Sequence, residues 1–412
     1  MEQFYSDPRT PERMRAGPLG EYVDAFAQLR SDQGYAKAST RYALQLVADV
    51  GRWLKRRRIV ATQLTAKRLE DYLDDRSRRR HRRSGDGAIL RQLLNLLLEK
   101  GVVAPAPPIE TAPAQRLAEE FRLYLRQERR LAPATVFHYL LFAERFLAQH
   151  FADGDVRLDR LRAADVVHFV QREAARLHHP KRSKVMTTAV RSFLQYARYR
   201  GLIDIDLRSS VPTVASWSMA SLPRGLSSDE VKCLLAACER HTALGRRNWA
   251  ILLLLARLGL RAGEVVGLGF DDLDWEAGEL RIRATSGGNS DRLPIPRDVG
   301  AALADYLRHS RPACSSRRVF IRTRAPHRGF ASSVAICSIV RRALERAGLD
   351  PAHKGAHLLR HSVATQMLRQ GASLAEIGEL LRHRSQQSTM IYAKVDLDLL
   401  RPLALPWPGG AQ

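Results

Sequence analysis

The chain has 412 residues, 45% of them hydrophobic, enough for two or three separately packed domains. Lys and Arg number 67 against 43 Asp and Glu, giving a formal charge of +24 and a pI near 10.7. That excess is beyond what solubility needs and points to a polyanion, nucleic acid first. The longest apolar run, Ile251 to Ala256, is too short to span a bilayer, which argues against a membrane protein.

Residues 1–18 are polar and hold Pro8, Pro11 and Pro18, so they read as a flexible arm. With Glu2, Asp7, Arg9 and Glu12 they lack the apolar centre of a signal peptide, and a soluble, intracellular (cytoplasmic) protein is expected. Proline-rich stretches at 104–108 and 212–223 are linkers. They leave an N-terminal helical domain at 19–103, a second helical domain at 112–210, a third domain at 222–404 and a tail at 405–412.

The first two domains read as copies of one four-helix unit. Ser39 and Thr135 stand at equivalent positions and are expected to cap an amphipathic helix in each copy. Leu64-Thr65-Ala66 parallels Leu161-Arg162-Ala163, and each precedes apolar residues at helical spacing: Leu69, Tyr72 and Leu73, then Val166, Phe169 and Val170. The closing helices, 89–100 and 189–200, both stop at a glycine, Gly101 and Gly201. A basic stretch precedes the last helix of each copy. It holds Arg78, Arg79, Arg80, Arg82 and Arg83 in the first and Lys181, Arg182 and Lys184 in the second. These cations are expected to meet DNA phosphates, each steepening the salt dependence of binding by about one.

The third domain changes texture. Ser227 and Glu230 form a capping box, and 249–258 is apolar nearly all round, so central. Leu280–Arg283 and Arg292–Ile295 read as a hairpin around a 286–289 turn, with Val319–Ile321 a third short strand. The remainder, from Val334, is helical. The fold class is therefore mainly α with a small antiparallel sheet. Cys233, Cys238, Cys314 and Cys337 have no metal-ligand spacing and are expected as free thiols; no metal and no cofactor is expected.

Five polar residues in this domain make chemical sense together. Arg261 follows the central helix between Gly259 and Gly263, and its guanidinium can fork two phosphate oxygens, with Glu264 placed to orient it. His357 and Arg360 are three apart and share a helical face. His361, next to Arg360, is expected to face elsewhere and pack. Ser373 and Glu376 cap a helix that ends near Leu381, so His383 lies at its exit. Tyr392 follows nine residues later. Two phosphate clamps, two proton-handling imidazoles and a phenol nucleophile are what metal-free cleavage of a phosphodiester requires.

The order and spacing of these stretches resemble the tyrosine recombinase (phage integrase) family. The matching stretches are Gly259-Leu260-Arg261-Ala262-Gly263-Glu264, His357-Leu358-Leu359-Arg360-His361, Leu381-Arg382-His383 and Ile391-Tyr392. The resemblance runs from about 115 to 400. It implies a helical core-binding domain before a catalytic domain, closing on duplex DNA as a clamp. Arg261, His357, Arg360 and His383 would surround the scissile phosphate, and Tyr392 would form a 3′-phosphotyrosyl link. It also implies double-stranded DNA as partner and a homo-oligomer on DNA, dimer to tetramer, with related recombinase subunits as further partners. The extra N-terminal copy resembles transposon-borne members.

Two positions depart from the family pattern. The hairpin turn, Ala284 to Ser290, lacks the usual lysine that protonates the leaving oxygen. Arg281, Arg283 and Arg292 are nearby cations, with Arg283 and Arg292 also read as DNA contacts, yet a guanidinium is a poor proton donor. Lys354, just before His357, is another nearby cation. Arg382 stands where the family has glycine, and its charge is compatible with phosphate contact. The alternative to a recombinase or transposase is a catalytically weak DNA-binding accessory subunit; a topoisomerase without strand exchange is a third reading. The apolar tail residues Leu397, Leu399, Leu400, Leu403 and Leu405 either dock on a neighbouring protomer or fold back.

Overall fold

In the computed structural model the chain is mostly helical with one small antiparallel sheet. The residues described are 3–5, 7, 9–78, 81, 83–105, 112–151, 156–178, 180–214, 225–283, 290–383 and 385–395. Two units emerge. One joins Met1–Pro105 to Ser221–Gln412, and the other is Ala106–Ala220.

The first unit opens with α1 (Arg9–Arg15), α2 (Gly20–Asp32), α3 (Lys37–Arg56), α4 (Ala66–Ser77) and α5 (Asp86–Glu99). They enclose a core that includes Phe26, Leu44, Val47, Leu93 and Leu97. The second unit holds α6 (Pro113–Gln127), α7 (Pro133–His150), α8 (Ala163–Leu177) and α9 (Pro180–Tyr199). Its centre is aromatic: Phe121 meets Phe193 edge-on at 5.3 Å, and Phe146 meets Phe169 at 5.0 Å. Such pairs add to the area term of burial.

The series α2–α5 and α6–α9 follow one order, down to short 3-10 turns at Ala61–Gln63 and Leu158–Arg160 before α4 and α8. Gly101 and Gly201, at φ +69 and +68, end the two series alike. Three local expectations fail. Residues 1–18 are not a flexible arm: they contain α1, and Phe4 and Met14 are buried in the core of the N-terminal helices. Ser39 and Thr135 do not start their helices; Ala36 and Ala132 hold the cap positions. Pro133 explains the earlier start of α7, since the first helical position has no use for the missing N–H. Likewise α9 begins at Pro180, so Lys181, Arg182 and Lys184 lie within its first five residues rather than in a loop before it.

The first unit resumes with α10 (Ser228–Ala236), α11 (Ala243–Leu258), α12 (Ala262–Gly267), β1 (Leu273–Asp274), β2 (Glu279–Ile282), β3 (Asp291–Pro294) and α13 (Arg297–His309). It closes with α14 (Val334–Arg346), α15 (Ala356–Arg369), α16 (Leu374–Leu381), α17 (Gln387–Met390) and a 3-10 turn at Ile391–Val395. The strands run β1-β2-β3, all antiparallel, with Leu273 opposite Leu280 and Leu280 opposite Leu293. Leu280, Ile282 and Leu293 face the core. The third strand is thus β1, not Val319–Ile321. Those three residues are all buried, without the alternation of a half-exposed strand. The stretch makes only isolated bridges, Gly269 with Arg318 and Ile321 with Gly329.

Helix α11 is the axis of this core. Ala250 to Leu255 are all buried, and the helix packs against α13 and α15. It stops at Gly259, φ +57, where a Cβ would come within 2.7 Å of Leu381. That turn delivers Arg261 to the start of α12. Elsewhere in the unit, the N-terminal helices meet the loop before α14. The His327 N–H donates to Gln33 O at 2.9 Å, and Gly34, φ +77, leaves room for the imidazole of His327.

Candidate active site

Arg261 sits at the cap of α12, with its side chain 39% exposed. Its backbone N–H donates to Glu264 Oε2 at 2.7 Å, and its guanidinium donates to Glu264 Oε1 at 2.8 Å and to Arg382 O at 3.0 Å. Arg360, on α15, is only 3% exposed. Its guanidinium donates to Gly259 O at 2.6 Å and to Leu381 O. Two helix ends, those of α11 and α16, thereby fix one arginine. Burial first, and then Arg261 and Arg382, lower its pKa to about 10, which leaves it charged at neutral pH. His357 lies one turn earlier on α15 and is exposed. Partial desolvation, then Arg360 and Arg261, hold its pKa below the ordinary value.

Helix α16 ends in the left-handed Arg382, and the His383 N–H turns back onto Gly378 O at 2.9 Å. His383 Nδ1 bonds Thr389 Oγ1 at 2.7 Å. Tyr392, in the closing 3-10 turn, is 1% exposed. Its ring lies parallel to that of His383, centroids 6.4 Å apart, and its Oη shares a 2.8 Å hydrogen bond with His361 Nδ1. Burial raises the Tyr392 pKa and Arg360 opposes the rise. Burial and then neighbouring positive charge bring His361 and His383 to about 4, so both imidazoles are neutral at pH 7.

The structure therefore gathers Arg261, His357, Arg360, His383 and Tyr392 around the meeting point of α11, α15 and α16. It corrects two readings. His361 does not face away to pack: it holds the phenol. Its signal was present in the sequence, because His357 and His361 are four apart and share a face, with rings 6.3 Å apart. Arg382 is not a spare charge either. Its side chain is 6% exposed and donates to Glu264 Oε2 at 2.8 Å, so its charge is spent inside the site.

The cations read as DNA contacts are dispersed. Arg78 is exposed just past α4, and the Arg83 guanidinium lies over the Tyr42 ring at 4.4 Å. Lys181, Arg182 and Lys184 are exposed on α9 of the second unit. Arg283 bonds Asp272 at 2.6 Å, and Arg292 bonds Glu279 across the strands at 3.2 Å. Lys354 pairs with Asp350. Arg79, Arg80, Arg82, the hairpin turn at 284–289 and the tail leucines from Leu397 onward lie outside the described residues.

Residues 224–398 match the model of the phage integrase family. Over its whole length the chain is 45% identical to the integrase/recombinase y4rA of Sinorhizobium fredii, covering 100% of both. It is 34% identical to the tyrosine recombinase XerD of Mycobacterium tuberculosis over 54% of this chain and 71% of that one. Among solved structures, the site-specific recombinase XerH, bound to its palindromic difH substrate after cleavage, aligns with a TM-score of 0.54. It has 19% identity over 70% of this chain and 84% of its own. A lambda integrase dimer bound to a core site aligns at 0.51, with 16% identity over 68% and 94%. At those identities the likeness is one of fold.

Proposed function

The chain belongs to the tyrosine recombinase (phage integrase) family, and on that basis we propose that it is a site-specific DNA recombinase or transposase working through a 3′-phosphotyrosyl intermediate. The observation that carries this reading is the placement of Tyr392 beside Arg360, with His383 stacked on its ring. Tyr392 Oη attacks the phosphorus and the 5′ oxygen departs. A later attack by a 5′-hydroxyl on the phosphotyrosyl bond rejoins the strand. Arg261 and Arg360 each keep N–H groups beyond those already bonded, and these neutralise charge that grows on the phosphate oxygens. His357 is a hydrogen-bond donor to the same oxygens.

Double-stranded DNA is the partner, drawn in by the basic surface and held by the exposed cations of α9 and the strands. Recombination joins two duplexes, so the working form is a homo-oligomer on DNA. Tyr392 and Arg360 are nearly inaccessible as folded. DNA engagement must uncover them before any attack.

The test is covalent capture. Full-length protein is incubated with nicked duplexes carrying a randomised core, in which the released end diffuses away and traps the adduct. Wild type is expected to give a detergent-resistant protein–DNA species, and Tyr392→Phe none. No adduct from wild type, or equal adduct from Tyr392→Phe, overturns the reading.

A further inference from the structure

A phenol that bonds to phosphorus cannot keep its proton, so a group within reach must take it. Among the described residues the hydrogen-bond partner of Tyr392 Oη is His361 Nδ1, at 2.8 Å. That lies within the roughly 2.6–3.2 Å a base requires. The other imidazoles are placed differently. His383 stacks on the phenol and spends Nδ1 on Thr389. No hydrogen bond links His357 to the phenol.

The direction of the bond follows from satisfying both groups. A phenol has one proton to give, and a neutral imidazole has one nitrogen free to accept it. His353 and His357 face His361 from the start of α15 and the loop before it, Arg360 is its neighbour on the helix, and His383 and Tyr392 face it from beyond α16. Burial first, and then His357 and Arg360, keep the ring neutral. With the ring hydrogen placed on Nε2, Nδ1 is the acceptor and the phenol proton has a partner.

From this geometry, and resting on the strand-cleavage reading above, we infer that His361 is the general base for Tyr392. As Oη bonds to phosphorus and the bond to O5′ breaks, the phenol proton passes to Nδ1. The departing O5′ takes a proton from water and the imidazolium returns its own to water, so protons and charge balance. The incoming phosphodiester is an anion, and its approach raises the proton affinity of the ring when the base is needed.

Single-turnover adduct formation decides the matter, using full-length protein and the nicked duplex recovered most often in wild-type adducts. Wild type, His361→Leu and His361→Asn are compared across pH. The Asn Oδ1 stands where Nδ1 stood and accepts a hydrogen bond, but it cannot take a proton. The wild-type rate should change little between about pH 6 and 9. Both variants should be slower by about 100-fold or more at pH 7. Their deficit should then close by about tenfold per pH unit as the phenol ionises without help. DNA affinity should be the same in all three.

A wild-type rate in His361→Asn would make His361 a positioning residue and overturn the inference. So would a deficit in both variants that stays constant with pH, the mark of packing. Melting curves guard against misfolding of His361→Leu, and the Asn variant keeps the test decisive if Leu fails to fold. Absence of any wild-type adduct would instead sink the strand-cleavage reading, and the base assignment with it.

Discussion

Replacing Arg382 by glycine sets two opposed effects against each other. The residue is left-handed, φ +53 and ψ +53, where a side chain costs roughly 1 kcal/mol relative to glycine. The substitution relieves that strain. Against it stands the ion pair with Glu264, whose two side chains are 6% and 7% exposed. Removing one partner of a buried pair costs roughly 3–5 kcal/mol. Glu264 keeps two bonds to Arg261, at 2.7 and 2.8 Å, which puts this case at the low end, about 3 kcal/mol. The net expectation is a loss of about 2 kcal/mol at neutral pH. For the catalytic segment that is a Tm lower by roughly 4–8 °C.

The pH dependence supplies a second check on the same variant. Burial raises the pKa of Glu264, but Arg382 and Arg261 outweigh it and leave it below 4.5. A carboxylate with a depressed folded pKa contributes its full stability above the unfolded value and loses it as pH falls through the folded one. The deficit of Arg382→Gly should therefore shrink once pH drops below 4.5. Calorimetric melts of the full chain across pH measure this. A variant as stable as wild type at neutral pH, or a deficit that persists unchanged in acid, would refute the view that the pair outweighs the strain.

The two buried imidazoles give the opposite kind of window. His361 and His383 fall from 6.5 to about 4 on folding, so the unfolded chain binds protons that the folded site refuses. Stability should decline as pH drops from 6.5 toward 4, and His383→Asn should flatten that decline in denaturant titrations. At the contact with the loop before α14, a Cβ on Gly34 would stand 2.1 Å from the His327 ring at a φ of +77. Gly34→Ala should lower the Tm, and His327→Ala in the same chain should recover part of the loss; no recovery would place the cost in the backbone alone. On α9, Arg182→Ala and Lys184→Ala should each reduce the slope of log K against log salt by about one. Fluorescence anisotropy measures this, and an unchanged slope would remove these cations from the phosphate contacts.

What the sequence announced, it announced locally. Ser227 with Glu230 and Ser373 with Glu376 form reciprocal capping boxes, because the bonds that define them span three residues. The pairing of β2 with β3 was legible from adjacent alternating runs. The misreadings arose where distant residues decide. Ser39 and Thr135 have cap chemistry, but the helices had already begun two residues before, at Lys37 and Pro133. Val319 to Ile321 have strand composition, yet β2 takes β1 as its other partner, and a three-residue apolar run carries no record of what it will lie beside.

The site shows the same division at higher stakes. Arg261, His357, Arg360, His383 and Tyr392 were each visible through a short motif, and tertiary packing had only to bring the motifs together. His361 and Arg382 were misjudged because their roles depend on partners more than thirty and one hundred residues away. Both errors treated a residue as defined by its sequence neighbour: His361 as adjacent to a clamp, Arg382 as a spare charge beside a histidine. Helical geometry already argued otherwise for the first, since a residue four after His357 shares its face. For Arg382 no local signal existed. A left-handed position normally filled by glycine can hold arginine when a buried carboxylate compensates the backbone cost, and Glu264 becomes that carboxylate only once α12 and α16 have met.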